Sequence, residues 1–318
     1  MKTPLLFLVF NRPEPTTRVF EAIRKIKPEK LFIAADGPRR DRPEDIEKCG
    51  QVRSIVKNID WPCEVKTLFQ EKNLGCQIAP SSAVTWFFKN VEAGIILEDD
   101  CLPDSSFFPF CEELLERYKN DARVWQISGD FFQRNYRRAE KENSYFFSSF
   151  PNLWGWASWR RAWKHYDPEM TGWPNNKDKG ILRGLIANSI VYDYWENLWD
   201  RYYNGQRNSW DRPWVYILML HKGLSINPTV NLISNLGFNS NATHTKDLGS
   251  MLSKMQTSSI SFPLIHPKII EQDIQADLLA FRYQFGIDFG LRKKVLSYLK
   301  RKFPNLYSKT KNLVNKKE

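Results

Sequence analysis

The chain has 318 residues, 42% of them hydrophobic and 12 of them tryptophan, enough for one large domain or two modest ones with a substantial core or an aromatic-lined cleft. No run of about 18 apolar residues occurs, so no bilayer-spanning helix is expected; the five cysteines (49, 63, 76, 101, 111) form no CxxC pair and are odd in number, which argues against a disulfide framework or a zinc site and suits a reducing, cytoplasmic setting. The formal charge is +11, but residues 291–318 hold ten Lys/Arg and one Glu, leaving +2 for residues 1–290, so the basic excess belongs to a tail and a nucleic-acid partner is disfavoured.

The opening MKTPLLFLVFNRPEP has too short an apolar run for a signal peptide, turns polar at Asn11-Arg12-Pro13 and offers no small-residue cleavage site, so it reads as a buried first strand. Further apolar runs of strand length follow in KLFIAAD, CEVKTLF, GIILEDD and VWQIS. Helix-like stretches lie between them at 13–27, with prolines near its start, and at 42–58, 78–91 and 105–118. This alternation predicts an α/β fold, a mostly parallel sheet with helices on both faces, in which ligands bind at the carboxyl ends of the strands. Three predicted ends are polar: Asn11-Arg12, Asp36-Gly37 and Glu98-Asp99-Asp100. From about residue 131 the alternation stops. An aromatic stretch, YFFSSFPNLWGWASWRRAW, is followed by a helix-like region at 179–203, an apolar helix in WVYILMLHKG and the polar NLISNLGFNSNATHT. Residues 1–130 and 131–250 are expected to share one cleft, with 251–318 as a C-terminal helical extension. In its tail Leu291, Val295, Leu299 and Phe303 recur every four residues among Lys and Arg. That pattern fits peripheral contact of residues 291–317 with an anionic membrane surface, or a solvated helix end with a frayed extension.

Three adjacent carboxylates repel one another, and a cation or hydrogen bonds must offset that repulsion. A hard ion such as Mn²⁺ or Mg²⁺ takes carboxylate and phosphate oxygens and needs only one or two carboxylates from the protein. The plainer alternative is a solvated acidic turn, with Asp104 capping the next helix. No glycine-rich phosphate loop is present, so a nucleotide would be held by metal and side chains, with Arg12 and the Asp36-Gly37 turn as contributors. Downstream, SWDRPW sets Asp211 between Trp210 and Trp214 ahead of an apolar helix. Asp211 reads equally as a helix N-cap and as a partly desolvated general base toward a sugar hydroxyl. Trp154, Trp156, Trp159 and Trp163 could be core, or could supply faces that stack on sugars. His244, in NATHT, is a candidate metal ligand; His165, His221 and His266 carry no specific expectation.

Taken together, these segments resemble the GT-A glycosyltransferases. ILEDDCLPDSSFFPF is similar to the metal-binding strand end of the N-acetylglucosaminyltransferase I group and its protein O-mannose relatives, which carry an acidic version of the DxD motif. DARVWQISG, the WGWASWRRAW segment, SWDRPW and NLISNLGFNSNATHT follow in the same order, over roughly residues 3–245. Bacterial sugar-nucleotide transferases of the same kind share the opening FNRP and WGWASWRR. The resemblance implies a nucleotide-diphospho-sugar transferase fold and transfer from a UDP-sugar to a glycan or lipid-linked acceptor, with inversion, in building a surface polysaccharide. It implies Asp100 as Mn²⁺ ligand, with Glu98 and Asp99 contacting ribose and donor sugar. Asp36 would read the uracil edge, Phe10, Asn11 and Arg12 would lie by the nucleotide and its phosphates, and Asp211 would act as base. Trp154, Trp156, Trp210 and Trp214 are the expected acceptor walls. The family's donor-contacting histidine before the acidic strand has no counterpart in CQIAPSSAVTWFF, which leaves the donor sugar open. Two rivals remain: a sugar-phosphate nucleotidyltransferase, for which FNRPEPTT lacks the usual glycine-rich basic loop, and a non-catalytic carbohydrate-binding protein with a structural ion.

Overall fold

A computed structural model describes residues 1–133, 143–186, 188–237, 255–287 and 290. The first strand, β1 (Leu5–Val9), is buried along its whole length. Its side chains alternate between two cores: Leu5, Phe7 and Val9 enter one, Leu6 and Leu8 the other. A strand covered on both faces has no polar side to show, which is why the sequence reads as an unbroken apolar run. Helix α1 (Pro13–Ile26) follows, with proline in its first turn and Lys27 in the left-handed conformation closing it. Its buried Thr16, Val19, Phe20 and Ile23 lie on one stripe.

The pattern repeats with β2 (Lys30–Ala35), α2 (Glu44–Lys57), β3 (Glu64–Phe69), α3 (Gly75–Asn90) and β4 (Ala93–Glu98). A short β5 (Cys101–Pro103), α4 (Phe107–Arg117) and β6 (Val124–Ser128) complete the alternating part. Beyond it come β7 (Tyr145–Ser148), β8 (Trp156–Trp159), α5 (Arg160–Trp163), α6 (Trp173–Asp178), α7 (Ile181–Leu185), α8 (Ser189–Tyr203), α9 (Asp211–Leu220), β9 (Leu224–Pro228), β10 (Ile233–Asn235) and α10 (Ile274–Phe285). Among the described residues the main sheet has eight strands in the order β3-β2-β1-β4-β8-β6-β9-β7, and only β7 and β8 run against the rest. The expected mostly parallel α/β sheet is therefore the one observed, and strands from the aromatic second half extend the same sheet.

Each predicted strand and helix of the first 130 residues is present within a few residues of its expected bounds. The helix-like region at 179–203 is broken, with α7 ending at Leu185 and α8 starting afresh under an Asn188 cap that accepts from the Ile190 and Val191 amides. All five cysteines are free thiols. No helix among the described residues is long and apolar enough to cross a membrane.

Candidate functional site

A cleft of about 870 Å³ opens at the carboxyl ends of β1, β2 and β4. Phe10, Arg12, Asp36, Glu98, Asp99 and Asp100 line it from the first half, and Trp154, Trp210 and Asp211 from the second. Residues more than 100 positions apart in the chain are thus brought to one cavity.

Arg12 answers the electrostatic question raised by the acidic triplet. It sits at the junction of β1 and α1, its carbonyl accepting from the Thr16 amide (3.1 Å) and hydroxyl (2.6 Å), so its backbone is fixed by the helix it precedes. Its guanidinium pairs with Asp99 through Nη2 and with Asp100 through Nη1 (2.8 Å). Burial opposes the arginine's charge, but Asp99 and Asp100 outweigh it and hold the pKa above the ordinary value. Asp99 is only 2% exposed and gives both oxygens to Arg12, so it positions the arginine and offers little to a ligand. Burial pushes its carboxyl up against the pull of Arg12. Glu98 is raised by burial first, then by the charges of Asp100 and Asp99; Asp211 acts on it in the same sense. The β4–β5 turn therefore sets three carboxyls against one guanidinium.

Among the described residues no three His, Cys, Asp or Glu side chains converge as a metal site. The oxygens available are those of Asp100 and Glu98, both in the cleft. Oxygen-only donors in negative excess, with room beside them for phosphate oxygens, fit a hard divalent cation and not a thiolate-bound metal. Gly237 stands directly against Asp100, and the Leu236 amide donates to the Asp100 carbonyl (2.7 Å). His244 lies outside the described residues.

Asp36 departs from its expected role as a reader of uracil. Its Oδ1 accepts from the amides of Gly37 (2.8 Å) and Leu74 (2.9 Å), and its Oδ2 from Asn73 Nδ2 (2.8 Å) and the Gly75 amide (3.1 Å). Four donors satisfy the carboxylate's acceptor sites, leaving no free edge for a base. Asp36 instead ties the β3–α3 loop to the end of β2. Gly37 is needed beside it because a Cβ there would meet the Lys72 backbone at 2.5 Å. Asn11 also turns aside, its amide donating to Asp45 (2.6 Å), which in turn holds Arg39. Phe10 stays in the cleft beneath the Arg39 guanidinium.

Two expected acceptor walls are core residues. Trp156 and Trp214 are both fully buried, packed against Trp163, and the Trp214 indole donates to Gln126 Oε1 (2.6 Å). Gly155, with φ of +63°, sits between Trp154 and Trp156 and keeps Trp154 in the cleft while Trp156 turns inward on β8. Trp210 stacks on Trp156 at 5.5 Å and is almost wholly buried where it borders the cavity. Asp211 is the first residue of α9 and not its N-cap: Trp210 holds that position, without a side-chain cap. The Asp211 carboxylate is 28% exposed, in the cleft, 3.5 Å from Arg212 Nε.

Sequence reasoning missed Gln70, Asn73, Tyr194 and Arg212 as cleft residues. Gln70 directly follows β3, and the strand-end rule applied there too would have found it. Tyr194, on α8, carries no local signal.

No family model matches the chain, and no curated protein matches it by sequence. Similar solved structures include a cytidylyltransferase from Leptospira borgpetersenii (13% identity, 52% of this chain and 63% of that one, TM-score 0.33). The S. aureus TarS 1-349 structure is 11% identical over 73% of this chain and 60% of that one, with a TM-score of 0.40. HddC from Yersinia pseudotuberculosis is 10% identical over 50% of this chain and 77% of that one, with a TM-score of 0.30. The chain matches less than two thirds of the length of the first two. At this distance a shared sheet does not transfer an activity, and the chemistry must be argued from the residues.

Proposed function

We propose that the chain is a glycosyltransferase, with the GT-A fold that its sequence resembles, moving a sugar from a nucleoside diphosphate, in the first place UDP, to a hydroxyl of a glycan or lipid-linked acceptor with inversion. One observation carries the reading: Asp211 stands in the same cleft as Arg12 and the Glu98–Asp100 turn, although more than 100 residues separate them. A strand-end acidic turn alone is a place for a cation and phosphates. A carboxylate fixed at a helix start across the same cleft is a place for a base, and the pair makes a site for displacement.

In this mechanism Asp211 takes the proton of the attacking hydroxyl, with the Arg212 guanidinium 3.5 Å from its carboxylate. Arg12, fixed through Asp99, keeps Asp100 turned to the cleft. A hard divalent cation bound at Asp100 would supply Lewis-acid neutralisation of the departing diphosphate. The first 130 residues form the donor side and residues 131–250 the acceptor side. Contact of residues 291–317 with an anionic membrane belongs to the same proposal for a lipid-linked acceptor; that segment lies outside the described residues.

Calorimetry with UDP tests the donor side. Binding should require Mn²⁺ or Mg²⁺ in the wild type, and Asp100→Ala should lose that dependence. Metal-independent binding that Asp100→Ala leaves unchanged contradicts the assignment. Release of pyrophosphate from a nucleoside triphosphate and a sugar phosphate would place the chain with the nucleotidyltransferases instead.

A further inference from the structure

The end of the sheet away from the cleft holds a group that the proposed reaction does not use. Strand β6 runs parallel to β4, so its start lies at the end opposite the acidic turn. Trp125, near that start, is buried, and its indole donates to the Ala122 carbonyl (3.0 Å). A Cβ at Gly223 would meet the indole at 2.6 Å, so glycine is what lets the chain cross it between α9 and β9. Two imidazoles lie against the same ring system: His165, just past α5, and His221, the C-cap of α9. Their centroids are each 5.2 Å from that of Trp125 and 4.6 Å from one another. The triangle is nearly equilateral, so the imidazoles sit side by side on the indole instead of sandwiching it.

The ring chemistry selects the ligand. Neither imidazole has a ring nitrogen hydrogen-bonded among the described residues; His165 is half-buried and His221 exposed. Burial, then the charges of His221 and Lys164, push His165 below the ordinary histidine value, which favours the neutral ring that metals bind. At the end of α9 the helix carbonyls set partial negative charge beside His221, and no basic residue stands in the last turn. An anion would need both rings protonated side by side, each opposing the other's charge. A hard cation prefers oxygen ligands to imidazole. An ion bound to an imidazole nitrogen at about 2.0–2.1 Å lies about 3.2 Å from the ring centroid. Centroids 4.6 Å apart then subtend about 90° at a shared ion. That is the cis angle of a square-planar or tetragonal site, narrower than a tetrahedral zinc site's, and it suits Cu²⁺ or Ni²⁺.

We propose that His165 and His221 form a two-imidazole site for a divalent transition-metal ion of tetragonal geometry, Cu²⁺ before Ni²⁺, completed by water. An ion held there clamps the end of α9, the helix that begins at Asp211, to the segment after α5. The site is separate from the oxygen ligands at Asp100 and does not depend on the glycosyltransferase reading.

Calorimetry and pulsed EPR on the full chain are the test. Ni²⁺, which does not oxidise the free thiols, gives the affinities, and Cu²⁺ at stoichiometric concentration gives the ligand set. The Cu²⁺ spectrum of the wild type should carry the modulation of two imidazoles. His165→Gln and His221→Gln should each remove that pair signature and lower Ni²⁺ affinity about tenfold or more, since even outer-shell partners are worth that much. Zn²⁺ should bind more weakly than Ni²⁺. Asp100→Ala should leave both readouts at wild-type values, and metal-dependent UDP affinity should be unchanged in the two histidine variants. A wild-type spectrum without two imidazoles, or wild-type Ni²⁺ affinity in either histidine variant, overturns the proposal. Loss of Ni²⁺ binding in Asp100→Ala would put the ion in the cleft and overturn it equally, and Zn²⁺ binding tighter than Ni²⁺ would overturn the tetragonal geometry. Failure of the wild type to bind UDP would count against the glycosyltransferase reading alone.

Discussion

The most discriminating structural prediction concerns Asp36, for which family resemblance and geometry give opposite answers. If the carboxylate reads a base, its removal should weaken nucleotide binding and leave the fold intact. If it pins the β3–α3 loop, its removal should destabilise the protein. Four hydrogen bonds end on it, from Gly37, Asn73, Leu74 and Gly75. Leu74 is 36% exposed, so water replaces its bond readily. Three bonds at about 1 kcal/mol each remain. Burial of the charge, which pushes the Asp36 carboxyl above its ordinary value, offsets part of that sum. Asp36→Ala should therefore cost about 2–3 kcal/mol. Asp36→Asn should fare little better, because its amide nitrogen would face the Asn73 and Gly75 donors. Asn73 cannot flip freely to accept from it, since its Nδ2 also donates to the Gly37 carbonyl (3.0 Å). Urea unfolding at constant m-value measures both variants. Midpoints matching the wild type, together with weakened UDP binding, would refute the loop-pin role and restore the base-reading one.

The tryptophan assignment predicts a contrast between neighbours. Trp156→Ala empties a fully buried site and should cost about 3–5 kcal/mol, whereas Trp154→Ala should cost less in stability and lower acceptor binding; equal stability losses would contradict the division. Asp45 supplies a pH signature. The Arg39 hydrogen bond holds its carboxyl down to about 2, with burial opposing and Asn11 assisting. A folded value below the unfolded one of about 3.9 stabilises the protein above that pH, and the contribution is lost as pH falls toward 2. With Arg39 39% exposed, screening reduces the full linkage value to about 1–2 kcal/mol. The stability gap between wild type and Asp45→Asn should thus shrink between pH 5 and about pH 2; a gap independent of pH would contradict the pairing.

The alternating half was legible because β1, β2, β4 and β6 are buried on both faces and the helices between them each bury one stripe, so periodicity and burial say the same thing; only the edge strand β3 is largely exposed. Leu5–Val9 and its successors could be placed from the sequence for that reason. The strand-end rule then located Arg12, Asp36 and Glu98–Asp100 at one cleft. Which way a side chain turns was not legible. Asp36 and Asp100 look alike as carboxylates after a strand, and only the path of the β3–α3 loop decides that the first is saturated by donors and the second is not. Trp154 and Trp156 differ in sequence only by standing on either side of Gly155, whose positive φ separates cleft from core.

The measurement that bears most directly on the account is single-turnover transfer by Asp211→Asn. The variant preserves the shape of the α9 start and should keep the wild-type melting temperature and metal-dependent UDP affinity. A general base contributes about 10²–10⁴ in rate, so transfer to acceptor should fall by about that factor. Transfer retained within a few fold of wild type, in a folded variant that binds UDP normally, would contradict the assignment of Asp211 as the base.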